Sequence, residues 1–261
     1  MENTRSITLP TGLWIDGARE SVVQLRPLTG FDESALAEAV QATPAERTTA
    51  LLSRCVLRLG GRDEVGPEDV RRLTVGDREA LLLHVRGTTF GERLQCVVGC
   101  PAEGCGEALD LELSIRDLLL PPYATAEEVY ERDGCRFHLP TGADQEAAAR
   151  LADDLEAAVA LLLERCVEAG APARDLSPVM AELDPQAELV LTLACPACGD
   201  EFEVPFDAGD FLARELAGVR DLERDVHRLA LHYHWSEPEI LALTVERRRR
   251  YLELLAEELA A

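Results

Sequence analysis

The chain has 261 residues, of which 49 are acidic and 26 basic, so its formal net charge is −23. Its length allows a substantial core in one large domain or two smaller ones. The negative charge argues against a protein that follows a nucleic-acid backbone or binds an anionic membrane surface, and the complete lack of lysine excludes P-loop, Schiff-base and kinase mechanisms that need one.

The first 60 residues predict a β-hairpin followed by two helices. Asp16-Gly17 stands between apolar segments, as in a two-residue hairpin turn. One helical segment begins at Thr29-Gly30, and a second runs from about Pro44 to the pair Gly60-Gly61. Cys55 falls inside the second, apolar helix and is therefore expected in the core.

The next segment predicts two short helices and a hairpin with cysteines at its tip. Pro67 suits the first turn of one helix, Thr74 suits the N-cap of the next, and Gly87 suits its end. Residues 93–98 and 108–115 flank the cysteines of "CPAEGCG". The second flank alternates strictly between apolar and polar residues, as a half-buried strand does.

After a proline-marked linker at 118–128, the order of these features recurs. Asp133-Gly134 predicts a second hairpin, Thr141-Gly142 predicts a second helix start, and "CPACG" predicts a second cysteine-tipped hairpin. Cys166 takes the place of Cys55 in its apolar helix, at an offset of 111 residues, and the two helix-start glycines are 112 residues apart. Recurrence at a nearly constant offset indicates an internal repeat.

One element of the repeat has changed its place. The predicted helix pair at 67–87 precedes the first cysteine hairpin, whereas the similar segment 236–255 follows the second. We interpret the chain as an α+β protein that arose by duplication with one element relocated. Its first pseudo-repeat is 1–120, its second is 121–206, and 207–261 is a C-terminal helical segment, all expected in one compact unit.

The two hairpin tips supply four candidate metal ligands. Both tips start with Cys-Pro and end with Cys-Gly, so a proline presets the turn and a glycine accepts a positive φ. Neither tip begins a helix, which is where a thioredoxin-like pair lowers its thiol pKa. Four thiolates complete a tetrahedral site and leave no place for water or substrate. The predicted ligands of one structural Zn²⁺, which joins the two repeats, are Cys100, Cys105, Cys195 and Cys198.

Two alternatives stay open for the cysteines. One or both pairs are simply reduced thiols in turns, and the Cys-x4-Cys spacing of the first tip is looser than in a usual zinc knuckle. Cys96 also lies close enough in sequence to replace Cys100 as a ligand. Its alternation with Leu94 and Val98 instead favours a place in the core side of a strand.

Other polar clusters favour structural explanations. Three of the five histidines lie in one segment, at His227, His232 and His234. The last two are two residues apart and point to different faces of a helix, unlike a metal-binding pair four residues apart. Ser236 and Glu239 form a predicted capping box beside them. The basic run 246–250 predicts a solvated face or a set of ion pairs.

Motifs of catalysis and of targeting are missing. The sequence has no G-x-S-x-G, no dinucleotide loop and no cysteine and histidine pattern that locates a nucleophile, so we expect no enzyme and no small-molecule substrate. Its first residues lack a basic region followed by an apolar stretch, and no segment approaches the roughly 20 apolar residues of a membrane span. We therefore expect a cytoplasmic protein without disulfides.

Seven segments carry a resemblance to a known family. They are "LRPLTG", "LTVGDREALLLHVRGTTFGERLQC", "CPAEGCG", "LPTGADQE", "LLLERC", "CPACGDEFEVPFD" and "VHRLALHYHWSEPEI". Together, over roughly residues 5–255, they resemble the T4-type baseplate protein family of contractile phage tails and phage-tail-like contractile injection systems. The resemblance implies a baseplate hub assembly chaperone without catalytic residues, whose partners are baseplate, hub or spike proteins.

The resemblance and the residues leave rival functions. A permanent structural subunit of the same baseplate is the nearest one. A zinc-ribbon regulator that binds nucleic acid is a different class, and the net charge of −23 and the lack of a basic stripe weigh against it. A thiol redox enzyme that uses "CPACG" is a third. An acidic chaperone is also expected to shield a basic surface of its partner, in a manner sensitive to salt.

Overall fold

The computed structural model describes residues 4–39, 41–171, 175–218 and 222–260. The strands are β1 (Arg5–Ile15), β2 (Ala18–Leu25), β3 (Val56–Leu59), β4 (Arg93–Gly99), β5 (Ala108–Ser114), β6 (Tyr130–Arg132), β7 (Cys135–Phe137), β8 (Val167–Ala169), β9 (Leu189–Ala194) and β10 (Glu201–Phe206). The helices are α1 (Gly30–Glu38), α2 (Pro44–Cys55), α3 (Pro67–Arg72), α4 (Val75–Phe90), α5 (Ile115–Leu118), α6 (Gly142–Ala149), α7 (Leu155–Cys166), α8 (Ser177–Leu183), α9 (Ala208–Gly218), α10 (Leu222–Tyr233), α11 (Glu237–Leu241) and α12 (Val245–Ala260). The chain thus mixes helix and sheet, and the strand pairs within these ranges are antiparallel.

Strands β1, β2 and β3, with the connecting helices α1 and α2, make up the first sheet unit (residues 5–59). The predicted hairpin is present, because Asp16 and Gly17 have φ values of 51° and 77°, which a two-residue turn of this type needs. Helix α2 ends at Cys55, and the next four residues pair with β2 as β3. The prediction of helix as far as Gly60-Gly61 is therefore wrong, since backbone pairing with a neighbouring strand overrides the local pattern.

Strands β6, β7 and β8, with α6 and α7, make up the second sheet unit (residues 130–169), whose strand order matches the first. Its hairpin turn has φ values of 52° at Asp133 and 78° at Gly134. Helix α7 ends at Cys166, and β8 follows at once, as β3 follows α2. Cys55 and Cys166 are both fully buried, which agrees with their predicted place in the core.

The two sheet units also share their hydrogen bonds. In the first, the N–H of Arg26 donates to the carbonyl of Cys55 at 3.0 Å, and in the second the N–H of His138 donates to the carbonyl of Cys166 at 3.0 Å. Helices α1 and α6 each follow a threonine N-cap. The N–H of that threonine donates to a carboxylate three residues later, at 2.9 Å in α1 and 3.0 Å in α6. Such caps satisfy backbone donors that the first helical turn leaves unpaired.

Each sheet unit is joined to a helix pair by a reciprocal backbone exchange. Residues 73–75, at the start of α4, exchange two N–H···O bonds of 2.9 Å with residues 140–142 of the second sheet unit. Residues 243–245, at the start of α12, exchange two bonds of 3.3 Å with residues 28–30 of the first. The helix pair α3 and α4 follows the first sheet unit in sequence but contacts the second sheet unit. The last helix pair, α11 and α12, contacts the first sheet unit.

A buried arginine accompanies each exchange. Arg78 in α4 and Arg248 in α12 are each 1% exposed. Arg78 donates to the hydroxyl of Thr49 at 2.9 Å, and Arg248 donates to both carboxylate oxygens of Glu33 at 2.7 Å. Burial lowers the pKa of Arg78 to about 10. Because a buried guanidinium is costly unless it is bonded, these contacts fix α4 against α2 and α12 against α1.

Helix α4 is longer than the sequence predicts. It passes Gly87 and ends at Phe90, with Gly91 at a φ of 95° as its C-cap. The prediction that Gly87 ends the helix is wrong, because that glycine serves packing: a Cβ there would lie 3.0 Å from Cδ1 of Ile115. Helix α5, which starts at Ile115, can therefore approach α4 closely.

The largest apolar core joins the first sheet unit to α3, α4, α9 and the start of α12. A smaller core lies within the second sheet unit and includes Phe137, Cys166 and Met180 of α8. In the described ranges, no helix has both the length and the apolar character needed to cross a bilayer.

Glu79 in α4 titrates near neutral pH and offers a test of the packing between α4 and α9. Its carboxylate accepts a hydrogen bond from the Ala208 N–H at 3.0 Å, and burial together with the charge of Asp207 raises its pKa from 4.5 to about 7. Since this pKa is higher in the folded chain than in the unfolded one, its contribution to stability is lost as the pH rises through about 7. Glu79→Gln keeps an acceptor and removes the titration. We expect the unfolding free energy of the variant, relative to that of the wild type, to rise by about 1 to 2 kcal/mol between about pH 5.5 and about pH 8.5. Urea denaturation of both proteins at each pH measures this difference.

Other titrating groups are common to both proteins and cancel in this comparison. An identical pH dependence of the two unfolding free energies would show that Glu79 is ionised throughout and that burial does not control it.

Candidate metal centre

Two hairpins carry the candidate site. Strands β4 and β5 pair from Arg93 opposite Ser114 to Gly99 opposite Ala108, and strands β9 and β10 pair up to Ala194 opposite Glu201. Burial alternates between more and less exposed residues along these strands, so each hairpin has one half-buried face. The strand predictions on both sides of each cysteine pair are confirmed, and the cysteines lie at the two tips.

Backbone bonds shape each tip into a tight turn. The N–H of Cys100 donates to the carbonyl of Glu107 at 2.8 Å, and the N–H of Cys195 donates to that of Asp200 at 2.9 Å. Gly106 and Gly199 have φ values of 62° and 77°. The glycine after each second cysteine is thus in the left-handed conformation that the sequence suggested, which other residues adopt only at a cost.

The two tips bring their four sulfur atoms together. The Sγ atoms of Cys100 and Cys198 are 3.7 Å apart, as are those of Cys105 and Cys195. All four sulfur atoms lie within 4.8 Å of one another. Ligands at the usual Zn–S distance of about 2.3 Å in a tetrahedron are about 3.8 Å apart, whereas the sulfurs of a disulfide are about 2.05 Å apart. The spacing therefore fits a tetrahedral metal site and does not fit a disulfide.

Hydrogen bonds and crowding act on the thiols in opposite directions. Hydrogen bonds from the N–H groups of Cys198 and Ala197 lower the pKa of Cys195 to about 7. They outweigh burial, which acts to raise it. At Cys100, the N–H of Ala102 also favours the thiolate, but burial and the three neighbouring sulfurs outweigh it and raise the pKa to about 12. Four sulfur atoms this close cannot all carry negative charge unless a cation compensates them. A divalent metal with thiolate preference meets that need.

The surroundings of the cluster are apolar on one side. Cys100 and Cys195 are buried, and they pack with Leu109, Leu111 and Phe202 from the inner faces of the hairpins. Cys198 is exposed. These apolar side chains would shield one side of a metal ion from water. Four sulfur ligands would leave it no coordination position for a substrate. The arrangement can hold two hairpins together, and it offers no reacting group.

The remaining cysteines lie elsewhere. Cys96 is in β4 opposite Leu111 and packs against the main core, outside the four-sulfur cluster. Cys100, and not Cys96, is therefore a member of the four-sulfur cluster. Cys135 is buried in β7. Burial raises the pKa of Cys55 and of Cys166 to about 12, so these thiols stay protonated and inert.

A second group of potential ligands, His138, Asp144 and Cys166, has a structural explanation. Both ring nitrogens of His138 face backbone carbonyls, at 2.9 and 3.1 Å, so the ring is directed at main-chain acceptors. Asp144 accepts from Arg165 at 2.8 Å. In the first sheet unit, Arg26 occupies the place of His138 and pairs with Asp32. In the second sheet unit Asp144 thus pairs with Arg165, as Asp32 pairs with Arg26 in the first.

The histidine segment is also structural. Ser236 and Glu239 form the predicted capping box, with the hydroxyl of Ser236 donating to the carboxylate at 2.7 Å. Trp235 stacks on Tyr233 and meets Tyr251 edge to face, with ring centroids 5.0 and 4.9 Å apart. Within the described ranges, no histidine of this segment joins a group close enough to share a metal ion.

The sequence analysis does not predict two features of the site and of the contacts that support it. The cross-hairpin pairing of Cys100 with Cys198 and of Cys105 with Cys195 depends on how two distant hairpins face each other. The buried arginines had a visible signature, because "LTVGDR" and "LTVERR" place Arg78 and Arg248 at the same position after the Leu-Thr-Val of each exchange. Arg248 lies in the basic run that was predicted to be a solvated face or a set of ion pairs, and at this position it is a buried ion pair.

The fold and the cluster define a mixed helix and sheet protein with a closed, thiol-only candidate metal site. A family model described as "T4 bacteriophage base plate protein" matches residues 5–169, well over half of the chain. The chain belongs to this family. The match includes the first cysteine pair and ends before the second. Searches of curated proteins and of solved structures returned no match.

Zinc content tests the cluster directly. We expect the purified protein to contain one zinc per chain and Cys195→Ser to contain less than about a tenth of that, because three sulfurs bind far more weakly than four. The thermal midpoint of the variant should fall by roughly 5 to 10 °C. Cys96→Ser is the matched control, since it removes a half-buried thiol outside the cluster and should keep the metal.

The measurement is elemental analysis with thermal unfolding on the same samples. A metal-free wild type whose midpoint does not respond to added zinc would mean that the four cysteines are ordinary reduced thiols.

Proposed function

We propose that this chain is a non-enzymatic assembly factor, a chaperone, for the baseplate hub of a contractile phage-tail-like injection system. The observation that carries the proposal is the family match over residues 5–169. A role in assembly takes place in the cytoplasm of the cell that builds the particle, so we propose that location as well. The partners would be hub, spike or other baseplate proteins.

A non-catalytic role agrees with the chemistry of the cluster. A site closed by Cys100, Cys105, Cys195 and Cys198 offers a metal no open position, so its use would be to hold structure. When bound, Zn²⁺ would supply charge compensation and a fixed tetrahedral geometry. The cysteines would orient the two hairpins, and the apolar residues beneath them would exclude water.

The metal would fasten two halves of a duplicated protein, with Cys100 and Cys105 following the first sheet unit and Cys195 and Cys198 following the second. The matched strand orders, the matched carbonyl bonds at Cys55 and Cys166, and the two backbone exchanges support duplication with reciprocal contacts between the halves. A protein built this way presents a rigid surface to its partner.

Charge supports a partner with a basic surface. At a net charge of −23, the chain attracts positive surfaces and repels copies of itself. A chaperone of this kind would cover a basic assembly face of a hub subunit until that face meets its final neighbour. Such binding would weaken as salt rises, because exposed charges are screened over about 8 to 10 Å at physiological ionic strength.

The nearest alternative is a permanent structural subunit of the same baseplate, and particle composition separates the two. For an assembly factor, we expect mass spectrometry to find the chain in hub intermediates and to find none in purified, complete particles. The hub protein of the same preparations is the internal standard. Stoichiometric presence in complete particles would assign the chain to the structural subunits and overturn the chaperone role.

Two other classes make different predictions from the same sample. A nucleic-acid regulator would bind DNA at physiological salt, against the charge of the chain. A redox enzyme would have reactive thiols at the cluster, whereas a structural site has tightly bound zinc and unreactive thiols.

A further inference from the structure

Helix α7 carries an apolar face that is exposed among the described residues. Of its twelve residues, Cys166 alone is fully buried. Leu155 is 77% exposed and Val159 is 42% exposed. These side chains are four residues apart and share one face of the helix, which continues into Leu162 at the edge of the second core. A helix this apolar is ordinarily buried in a folded protein.

The equivalent helix of the first sheet unit shows which element packs beside part of such a face. Helix α2 also has twelve residues and ends on the matching cysteine, so Leu155 corresponds to Pro44, Val159 to Thr48 and Leu162 to Leu51. Five residues of α2 are buried. Of the corresponding side chains, Thr48 and Leu51 border α9, which packs against the same core, and Pro44 is exposed.

Helix α9 faces α2 at these positions. A Cβ on Gly209 would lie 3.5 Å from the hydroxyl of Thr48, and Leu212 shares the main core with Leu51. Helix α9 follows directly after the second cysteine hairpin. The segment after the first hairpin is helical over only four residues, as α5, before Pro121 and Pro122 follow. Because the residue before a proline disfavours helix, the described part of the chain has a long helix after the second hairpin and only a short one after the first.

The charges beside the exposed face indicate which charge a helix that covers it carries. Asp153, Asp154 and Glu156 are exposed at its start. Among the described residues, Arg165 pairs with Asp144 and Arg150 pairs with Glu46. The apolar face is therefore bordered by exposed acidic side chains. A second copy of this chain would bring the same charge against it, which disfavours self-association.

We propose that the Leu155, Val159 and Leu162 face of α7 binds an amphipathic helix of another protein, with apolar residues on one side and arginine or lysine beside them. On Val159 and Leu162 the bound helix takes the place that α9 takes on Thr48 and Leu51, and Leu155 extends the contact beyond that place. This inference goes beyond the proposed function and does not depend on it, because it follows from the two sheet units and the charges around α7.

Two synthetic helical peptides test it. Both are about 14 residues long and hydrocarbon-stapled to hold the helix, with leucines on one face. One has arginines beside the leucines and the other has glutamates at the same positions. Fluorescence anisotropy with the full chain should show saturable binding of the arginine peptide and at least tenfold weaker binding of the glutamate peptide. Raising sodium chloride from about 50 mM to about 500 mM should weaken the arginine peptide severalfold.

Variants locate the binding face. Leu155→Glu with Val159→Glu should weaken the arginine peptide at least tenfold, and Leu155→Ser with Val159→Ser should weaken it without adding charge. Leu231→Glu, on an exposed side chain of α10 (60% exposed), is the matched control and should leave the affinity within twofold. Circular dichroism with a thermal midpoint checks that each variant is folded.

Three results would overturn the proposal. One is no binding of the arginine peptide up to about 1 mM, and another is equal binding by the wild type and both double variants. The third is a dimer of the protein alone, in sedimentation velocity, that dissociates in the Leu155→Glu and Val159→Glu variant, since that would assign the face to a second copy.

Discussion

Four sulfur atoms within 4.8 Å of one another are the constraint from which much of this fold follows. Four thiolates this close would need a cation to compensate their charge, and a cation there would hold together two hairpins that are about ninety residues apart in the sequence. The second hairpin leads directly into α9. At its start, the Ala208 N–H donates to Glu79 of α4, and the helix covers α2. The position of the cluster thus sets the position of a helix in the main core.

The second organising feature is the exchange between units. Neither sheet unit has enough elements to bury its own helices, which is the usual condition of a small repeat. Residues 73–75 complete the second unit and residues 243–245 complete the first, and in each helix pair a buried arginine follows the exchange. The two units differ where the chain is shorter, after the first cysteine hairpin. There the described residues form only the short helix α5, whereas the longer helix α9 follows the second hairpin.

Local rules predicted much of this from the sequence. The two Asp-Gly turns, the threonine caps, the Ser236 and Glu239 box and the cysteine-tipped hairpins all depend on residues a few positions apart, and all are present. Residues 56–59 were predicted to be helical because an apolar segment after a helix fits either state, and only pairing with β2 decides. Gly87 was predicted to end a helix, yet its role is close packing against Ile115. The exchange between units and the grouping of Cys100 rather than Cys96 with the other three cysteines depend on contacts between distant segments, so no local pattern could specify them.

The central claim is that one metal ion, held by four sulfurs from both hairpins, joins the two units. X-ray absorption spectroscopy at the zinc edge of the purified full chain tests it most directly. We predict a single shell of four sulfur atoms at about 2.3 Å. A shell that contains nitrogen or oxygen ligands, or fewer than four sulfurs, would contradict the claim, because the metal would then not close the site between Cys100, Cys105, Cys195 and Cys198.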